Sequence, residues 1–68
     1  MTLRQYAKEH PSVSLDIRQR TGRYGTVRLV EGFFPSGSEV AKWDYKWVDD
    51  EASFIGSIAH HLVLIILE

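Results

Sequence analysis

An unbroken apolar run near the C-terminus, residues 62–67, constrains this 68-residue chain more than any other feature. The run reads Leu-Val-Leu-Ile-Ile-Leu, so a helix built from it would present apolar side chains all around its axis. A helix of that kind has to be buried on every side. The run is far shorter than the roughly 20 residues that cross a bilayer as a helix. We therefore expect a soluble protein.

Two structures would bury this run. It could form a fourth strand, since Val63, Ile65 and Ile66 are β-branched, although no glycine or proline separates it from the pattern before it. Alternatively, it ends a helix whose exposed side packs on another chain, as large apolar patches on small domains usually do. We favour the second structure, and the partner-binding residues are then Ile55, Leu62, Val63, Ile66 and Leu67.

The remaining elements are predicted from local patterns. Thr2 and Gln5 have the spacing of a capping box at the start of a short helix, which Pro11 ends. Residues 13–18 alternate apolar and polar side chains, as a strand with one buried face does. A hairpin loop with two glycines follows over residues 21–25, and a second strand is predicted from about Thr26 to Phe34.

A third strand and a second helix complete the prediction. Ala41, Trp43, Tyr45 and Trp47 alternate with polar residues, which predicts a strand from about Glu39 with its aromatic side in the core. Residues 49–51 are acidic, as the first turn of a helix often is. The predicted fold is one α+β domain over residues 1–68: a short N-terminal helix, a three-stranded antiparallel meander, and a C-terminal helix packed on one face of the sheet.

Charge is divided unevenly along the chain. Residues 1–30 carry six basic and two acidic side chains, net +4, whereas residues 31–68 carry two basic and seven acidic ones, net −5. The predicted sheet would place Lys42 and Lys46 with several arginines on its outer face, where they could contact phosphates. The candidate nucleic-acid-binding residues are Arg18, Arg20, Arg23, Tyr24 and Arg28.

The predicted order of elements resembles two nucleic-acid-binding families. The helix–strand–strand–strand–helix order is similar to that of double-stranded-RNA-binding domains. The part from Arg23 to Leu62 resembles the DNA-binding modules of phage integrases, which lay three strands into the major groove. Both resemblances imply that the sheet face would contact the nucleic acid.

Side chains for catalysis are sparse. The chain has no cysteine, and Ser57 lacks the second glycine of a nucleophile elbow. His60 and His61 are adjacent, so on a helix they diverge and do not share one metal. We expect no enzyme activity, no cofactor and no metal.

Size and composition indicate a binding protein. The absence of cysteine fits a reducing, cytoplasmic setting, and small accessory or inhibitor proteins of phages and other mobile elements often have this size. The leading hypothesis is a non-enzymatic protein-binding module that associates with itself, as a homodimer, or with another protein. The alternative is a nucleic-acid-binding domain.

Overall fold

Helices and strands are mixed along the whole chain, and the computed structural model describes every residue from Met1 to Glu68. The sheet has four strands in the order β2-β1-β4-β3. Strands β1 and β4 are parallel, and the two outer pairs are antiparallel. The elements are α1 (Leu3–Glu9), β1 (Ser14–Arg20), β2 (Thr26–Arg28), α2 (Gly37–Val40), a one-turn 3₁₀ helix (Lys46–Asp49), β3 (Ala52–Ala59) and β4 (Leu62–Leu67).

The predicted antiparallel meander with a C-terminal helix is therefore wrong. Residues 52–67, predicted as a helix, form the β3–β4 hairpin instead. The turn between the strands is His60-His61, and His61 has a positive φ of 58°. A glycine or asparagine usually fills such a position, but histidine also tolerates it. The turn consequently left no glycine signal in the sequence, and the apolar residues on both sides looked continuous.

The predicted third strand is also wrong. Residues 37–40 form α2, where the Ser36 hydroxyl accepts a hydrogen bond from the Glu39 amide. Serine followed three residues later by glutamate is a helix N-terminal signature, and it outweighs the alternation that follows it. The chain then passes through an irregular stretch to the 3₁₀ helix, which Asp49 ends. Strand β2 is shorter than predicted, since it stops at Arg28.

The N-terminal part agrees with the sequence patterns. Both halves of the Thr2–Gln5 capping box are present, and α1 ends at Glu9, shortly before Pro11. Strand β1 occupies the predicted alternating stretch, and β1 and β2 pair as an antiparallel hairpin.

The core lies between the helices and one face of the sheet. Strand β4 lies in the middle of the sheet, between β1 and β3. Its alternate side chains Val63, Ile65 and Leu67 point into the core and are at most 6% exposed. Core burial therefore accounts for half of the apolar run at residues 62–67, whereas the alternate residues Leu62, Leu64 and Ile66 lie on the other face and are partly exposed. The other buried apolar residues are Leu3, Ala7, Leu15, Ile17, Val40 and Val48.

Helices α1 and α2 meet at Gly37, which is buried. A β-carbon at this position would lie 2.2 Å from the His10 carbonyl oxygen and 2.7 Å from that of Ala7. Only glycine allows the backbones to approach so closely. None of the helices combines the length and the apolar character that crossing a membrane requires.

Candidate functional site

The sheet face opposite the helices, called here the open face, is divided between charged and apolar side chains. Along one register row, Arg28 on β2 is followed by Arg18 on β1, Ile66 on β4 and Phe54 on β3. The half formed by β2 and β1 is therefore basic, and the half formed by β4 and β3 is apolar.

Strand β3 forms the edge on the apolar half. Its eight residues, Ala-Ser-Phe-Ile-Gly-Ser-Ile-Ala, include no charge and no proline. Phe54 is 46% exposed and Ile58 is 51% exposed. The Phe54 ring lies over Gly56, because a β-carbon at Gly56 would fall 2.6 Å from that ring. The register shifts by one residue near each end of the strand, beside Ser53 and Ile58.

The predicted partner-binding residues fall on both faces of the sheet. Val63 and Leu67 are buried in the core, and Ile55 packs against it. Leu62 and Ile66 alternate with the core residues of β4, so they belong to the open face, where they are partly exposed. The structure does not place these five side chains on one surface.

The predicted basic residues are partly neutralised by Asp16. This carboxylate is only 5% exposed, and it pairs with Arg18 Nε at 3.3 Å and Arg28 Nε at 3.7 Å. Arg28 also stacks on the Phe34 ring, with 4.6 Å from the guanidinium carbon to the ring centroid. Its Nη2 donates to the Phe33 carbonyl. Arg28 Nε is buried and makes no hydrogen bond. Both arginines are thus held within the fold.

The other predicted nucleic-acid residues lie apart from this cluster. Arg20 donates to the Ser53 hydroxyl at 3.2 Å. Arg23 and Tyr24 occupy the β1–β2 loop, and Tyr24 is 92% exposed. Lys42 and Lys46 are outside the sheet altogether, so the broad basic face is not formed as predicted. The order of elements that suggested the RNA-binding and integrase resemblances is not observed either.

The two adjacent histidines sit in the β3–β4 turn. Their ring centroids are 4.0 Å apart. The structure contains no group of three histidine, aspartate or glutamate side chains that could hold a metal ion.

Sequence reasoning missed an aromatic pocket beside the β2 edge. It has a volume of about 330 Å³ and is lined by Leu29, Val30, Glu31, Phe33, Trp43, Tyr45 and Trp47. The alternation of aromatic residues at 43, 45 and 47 was a signal that these side chains share one side. We assigned that side to the core, whereas Tyr45 is 58% exposed.

Within the pocket, one ring stands perpendicular to a stacked pair. Tyr45 and Trp47 are stacked, with ring centroids 5.2 Å apart and planes 8° apart. Trp43 stands nearly perpendicular to both, at 87° to Tyr45 and 89° to Trp47. Edge-to-face and offset-stacked contacts of this kind are the favoured geometries of aromatic pairs. The rings therefore support one another.

Arg4 on α1 fixes the segment that carries these rings. Its guanidinium donates to the carbonyls of Ala41 and Trp43 at 2.7 and 2.9 Å, and its Nε donates to Asp49 Oδ1 at 2.8 Å. The hydrogen bond with Arg4 lowers the pKa of Asp49 and raises that of Arg4. One side chain thus joins both ends of the aromatic segment to α1.

Comparison with protein-family models, with curated protein sequences and with solved structures finds no match for this chain. Function is therefore inferred from the geometry described above.

Proposed function

We propose that this chain is a non-enzymatic protein-binding module that forms a homodimer through the edge of β3. The observation that carries the proposal is an eight-residue edge strand without charge or proline, on which Phe54 and Ile58 are exposed. In the dimer, two copies of β3 pair side by side, so that the two sheets continue into one.

An unprotected edge strand is a template for another strand, because its outward amides and carbonyls have no partner in the sheet. Monomeric proteins usually blunt such edges with charges, prolines, β-bulges or very short strands. Of these, β3 has only the register shifts beside Ser53 and Ile58, which leave residues 54–57 regular. The opposite edge of this sheet follows that rule, since β2 has three residues and one of them is Arg28. Strand β3 is long and carries neither charge nor proline, which favours pairing at this edge.

The sequence of β3 suits pairing with itself. Antiparallel pairing about a twofold axis at Gly56 sets Phe54 of one copy opposite the partner's Ile58. That pair occurs twice in a twofold dimer, because the same patch is used on both copies. Aromatic and β-branched residues directly opposite each other stabilise a strand pair, and like charges destabilise it. An uncharged strand brings no like charges together.

The size of the chain adds support. A domain of this length buries about 60% of the surface that its unfolded chain exposes, so it is only marginally stable alone. The chain has no disulfide. Dimerisation would contribute stability that rises with concentration, and it would bring Phe54 and Ile58 of the two copies into cross-strand contact.

The test uses single lysine substitutions at the two sheet edges. Ile58→Lys and Phe54→Lys place a charge on β3, and Val27→Lys is the matched control, because Val27 is also 50% exposed but lies on β2. Sedimentation equilibrium should give a dimer for the natural chain and for Val27→Lys, and a monomer for both β3 variants. Circular dichroism spectra that agree with that of the natural chain would show that the variants are folded.

Two results would overturn the proposal. The first is a natural chain that remains monomeric at every concentration. The second is a dimer that Val27→Lys disrupts as much as Ile58→Lys does, since contact would then not depend on β3.

A further inference from the structure

We propose that the aromatic pocket binds a methylated ammonium group, either on a peptide side chain or on a small molecule such as choline. Two features of the pocket support this ligand class: Trp43 stands perpendicular to the stacked pair of Tyr45 and Trp47, and Glu31 is the only charged lining residue. Neither feature was used in the homodimer proposed above.

The rings line the pocket in two perpendicular orientations. The face of an aromatic ring is negative, and its quadrupole attracts a cation placed within about 6 Å of the centroid, with tryptophan the strongest. Trp43 is perpendicular to the stacked pair of Tyr45 and Trp47. A corner of this kind can contact a rounded ligand on more than one side. Quaternary ammonium groups have that shape and bind in aromatic cages.

The charge of the pocket favours a cation over an anion or a neutral group. Glu31 is the only charged residue in the wall, and the other six lining residues are apolar or aromatic. No lysine or arginine lines the pocket. An incoming cation would therefore meet a negative charge and no positive one, whereas a phosphate or carboxylate would be repelled.

The apolar walls distinguish a methylated ammonium from an unmodified one. A primary ammonium is strongly hydrated and loses its water at a cost that Leu29, Val30 and the rings do not offset with hydrogen bonds. N-methyl groups carry the same charge with an apolar surface. They can contact aliphatic and aromatic walls without leaving a donor unpaired.

The dimensions of the pocket point to a small head group. A volume of about 330 Å³ lies at the lower end of the range for ligand sites. Two of the walls, Phe33 at 50% and Tyr45 at 58%, are exposed. The pocket therefore opens to solvent, and the rest of a larger ligand can extend from its mouth.

The walls of the pocket are held in place by contacts within the fold. Arg4 holds the Trp43 and Ala41 carbonyls, and Val48 within the 3₁₀ helix is fully buried. A site whose rings are held by their own fold loses little conformational entropy when the ligand enters.

The test monitors intrinsic tryptophan fluorescence, since both tryptophans of the chain line the pocket. Choline is titrated against 3,3-dimethylbutan-1-ol, in which carbon replaces the charged nitrogen. A cation–π contribution predicts that choline binds about tenfold more tightly than this neutral analogue. A second pair of probes, a short peptide with trimethyl-lysine and the same peptide with lysine, distinguishes a peptide ligand from a free small molecule.

Matched variants identify the contributing residues. Glu31→Gln should weaken choline binding about threefold and leave the neutral analogue unaffected, while Glu9→Gln, which changes an exposed glutamate on α1, should change neither. Tyr45→Leu should weaken choline binding about fivefold, whereas Tyr24→Leu in the β1–β2 loop should not. Both positions in each pair are exposed, so these variants are expected to fold.

The proposal is overturned if choline and its neutral analogue bind equally, because the pocket would then recognise apolar volume alone. It is also overturned if neither choline nor the methylated peptide changes the fluorescence. The pocket lies beside β2 and the proposed dimer edge is β3, at the other end of the sheet. Binding should therefore be the same in the Ile58→Lys variant, and failure of one proposal leaves the other intact.

Discussion

Replacing Gly37 with alanine should destabilise the fold severely, because this residue sits where three backbone segments cross. It begins α2, its amide donates to the Val13 carbonyl at 3.0 Å, and its Cα faces the carbonyls of Ala7 and His10. The new methyl group would lie 2.2 Å from the His10 oxygen, which is 1.2 Å short of the 3.4 Å at which ordinary contact begins. That oxygen belongs to the backbone, so no side-chain rotation relieves the clash.

The cost of Gly37→Ala follows from this geometry. Overpacking a well-packed interior lowers the free energy of unfolding by about 1–3 kcal/mol. Because the new methyl group meets backbone atoms of two residues, we expect a loss of about 3 kcal/mol for this substitution. A domain of this length has a total stability of about 3–10 kcal/mol. The substitution should therefore remove a third of the stability or more. It would also displace α2 and the aromatic segment that follows it.

Urea unfolding monitored by tryptophan fluorescence measures this effect. At about 1 kcal/mol per molar urea, Gly37→Ala should lower the midpoint by about 3 M or leave the chain unfolded in buffer. Gly22→Ala is the control, because a β-carbon at Gly22 meets nothing within 4 Å. That variant should be neutral or slightly more stable, by up to about 1 kcal/mol. Equal midpoints for the two variants would refute the claim that Gly37 is required by close approach.

Two further predictions concern the β3–β4 turn and the Arg4 contact. His61 has a φ of 58°, a conformation that costs a non-glycine residue about 1–2 kcal/mol. His61→Gly should therefore raise the free energy of unfolding by a net of about 0.5 kcal/mol after the added freedom of the unfolded chain is counted, and the urea midpoint should rise with it. His60→Gly should lower the midpoint instead, and a loss of stability in both variants would contradict this reading of the turn. The second prediction is a pH dependence. The Arg4 guanidinium lowers the pKa of Asp49, so this contribution to stability is present above the ordinary aspartate pKa and is lost as the pH falls through the lower folded-state value. Asp49→Asn should therefore flatten the stability profile below about pH 4, and a profile as steep as that of the natural chain would show that the contact is not formed in solution.

The elements that were predicted correctly are those determined by residues close together in the sequence. The capping box at Thr2 and Gln5 and the alternation of β1 both act within a few positions. The errors arose where a local pattern was compatible with both a helix and a strand. Apolar residues at 54, 55, 58 and 62 fit a helix, but Gly56 within that stretch disfavours one by about 1 kcal/mol. That glycine and the many β-branched side chains were the available signals for strands.

The candidate sites were harder to predict, because both depend on contacts between distant parts of the chain. The pocket brings together residues that follow β2 and residues that precede the 3₁₀ helix. The regular spacing of Trp43, Tyr45 and Trp47 predicted that they share one side but could not show that this side is partly exposed. Likewise, nothing within β3 indicates that it lies at an edge, since this depends on the pairing of β4 with β1.

The position of β4 explains why the association hypothesis moves to a different strand and keeps its physical basis. The fold places β4 between β1 and β3, so that Val63, Ile65 and Leu67 are buried in the core while Leu62, Leu64 and Ile66 are partly exposed on the open face. That insertion leaves β3 with a partner on one side only. Its Phe54 and Ile58 stay exposed. On its outer side, only the first residue has a backbone partner, since the Ala52 amide donates to the Met1 carbonyl at 3.0 Å. In the proposed dimer, the contact is therefore made by β3, the neighbour of β4, and not by the C-terminal run itself. For this reason a charge at Ile58 should separate the copies, whereas one at Val27 should not.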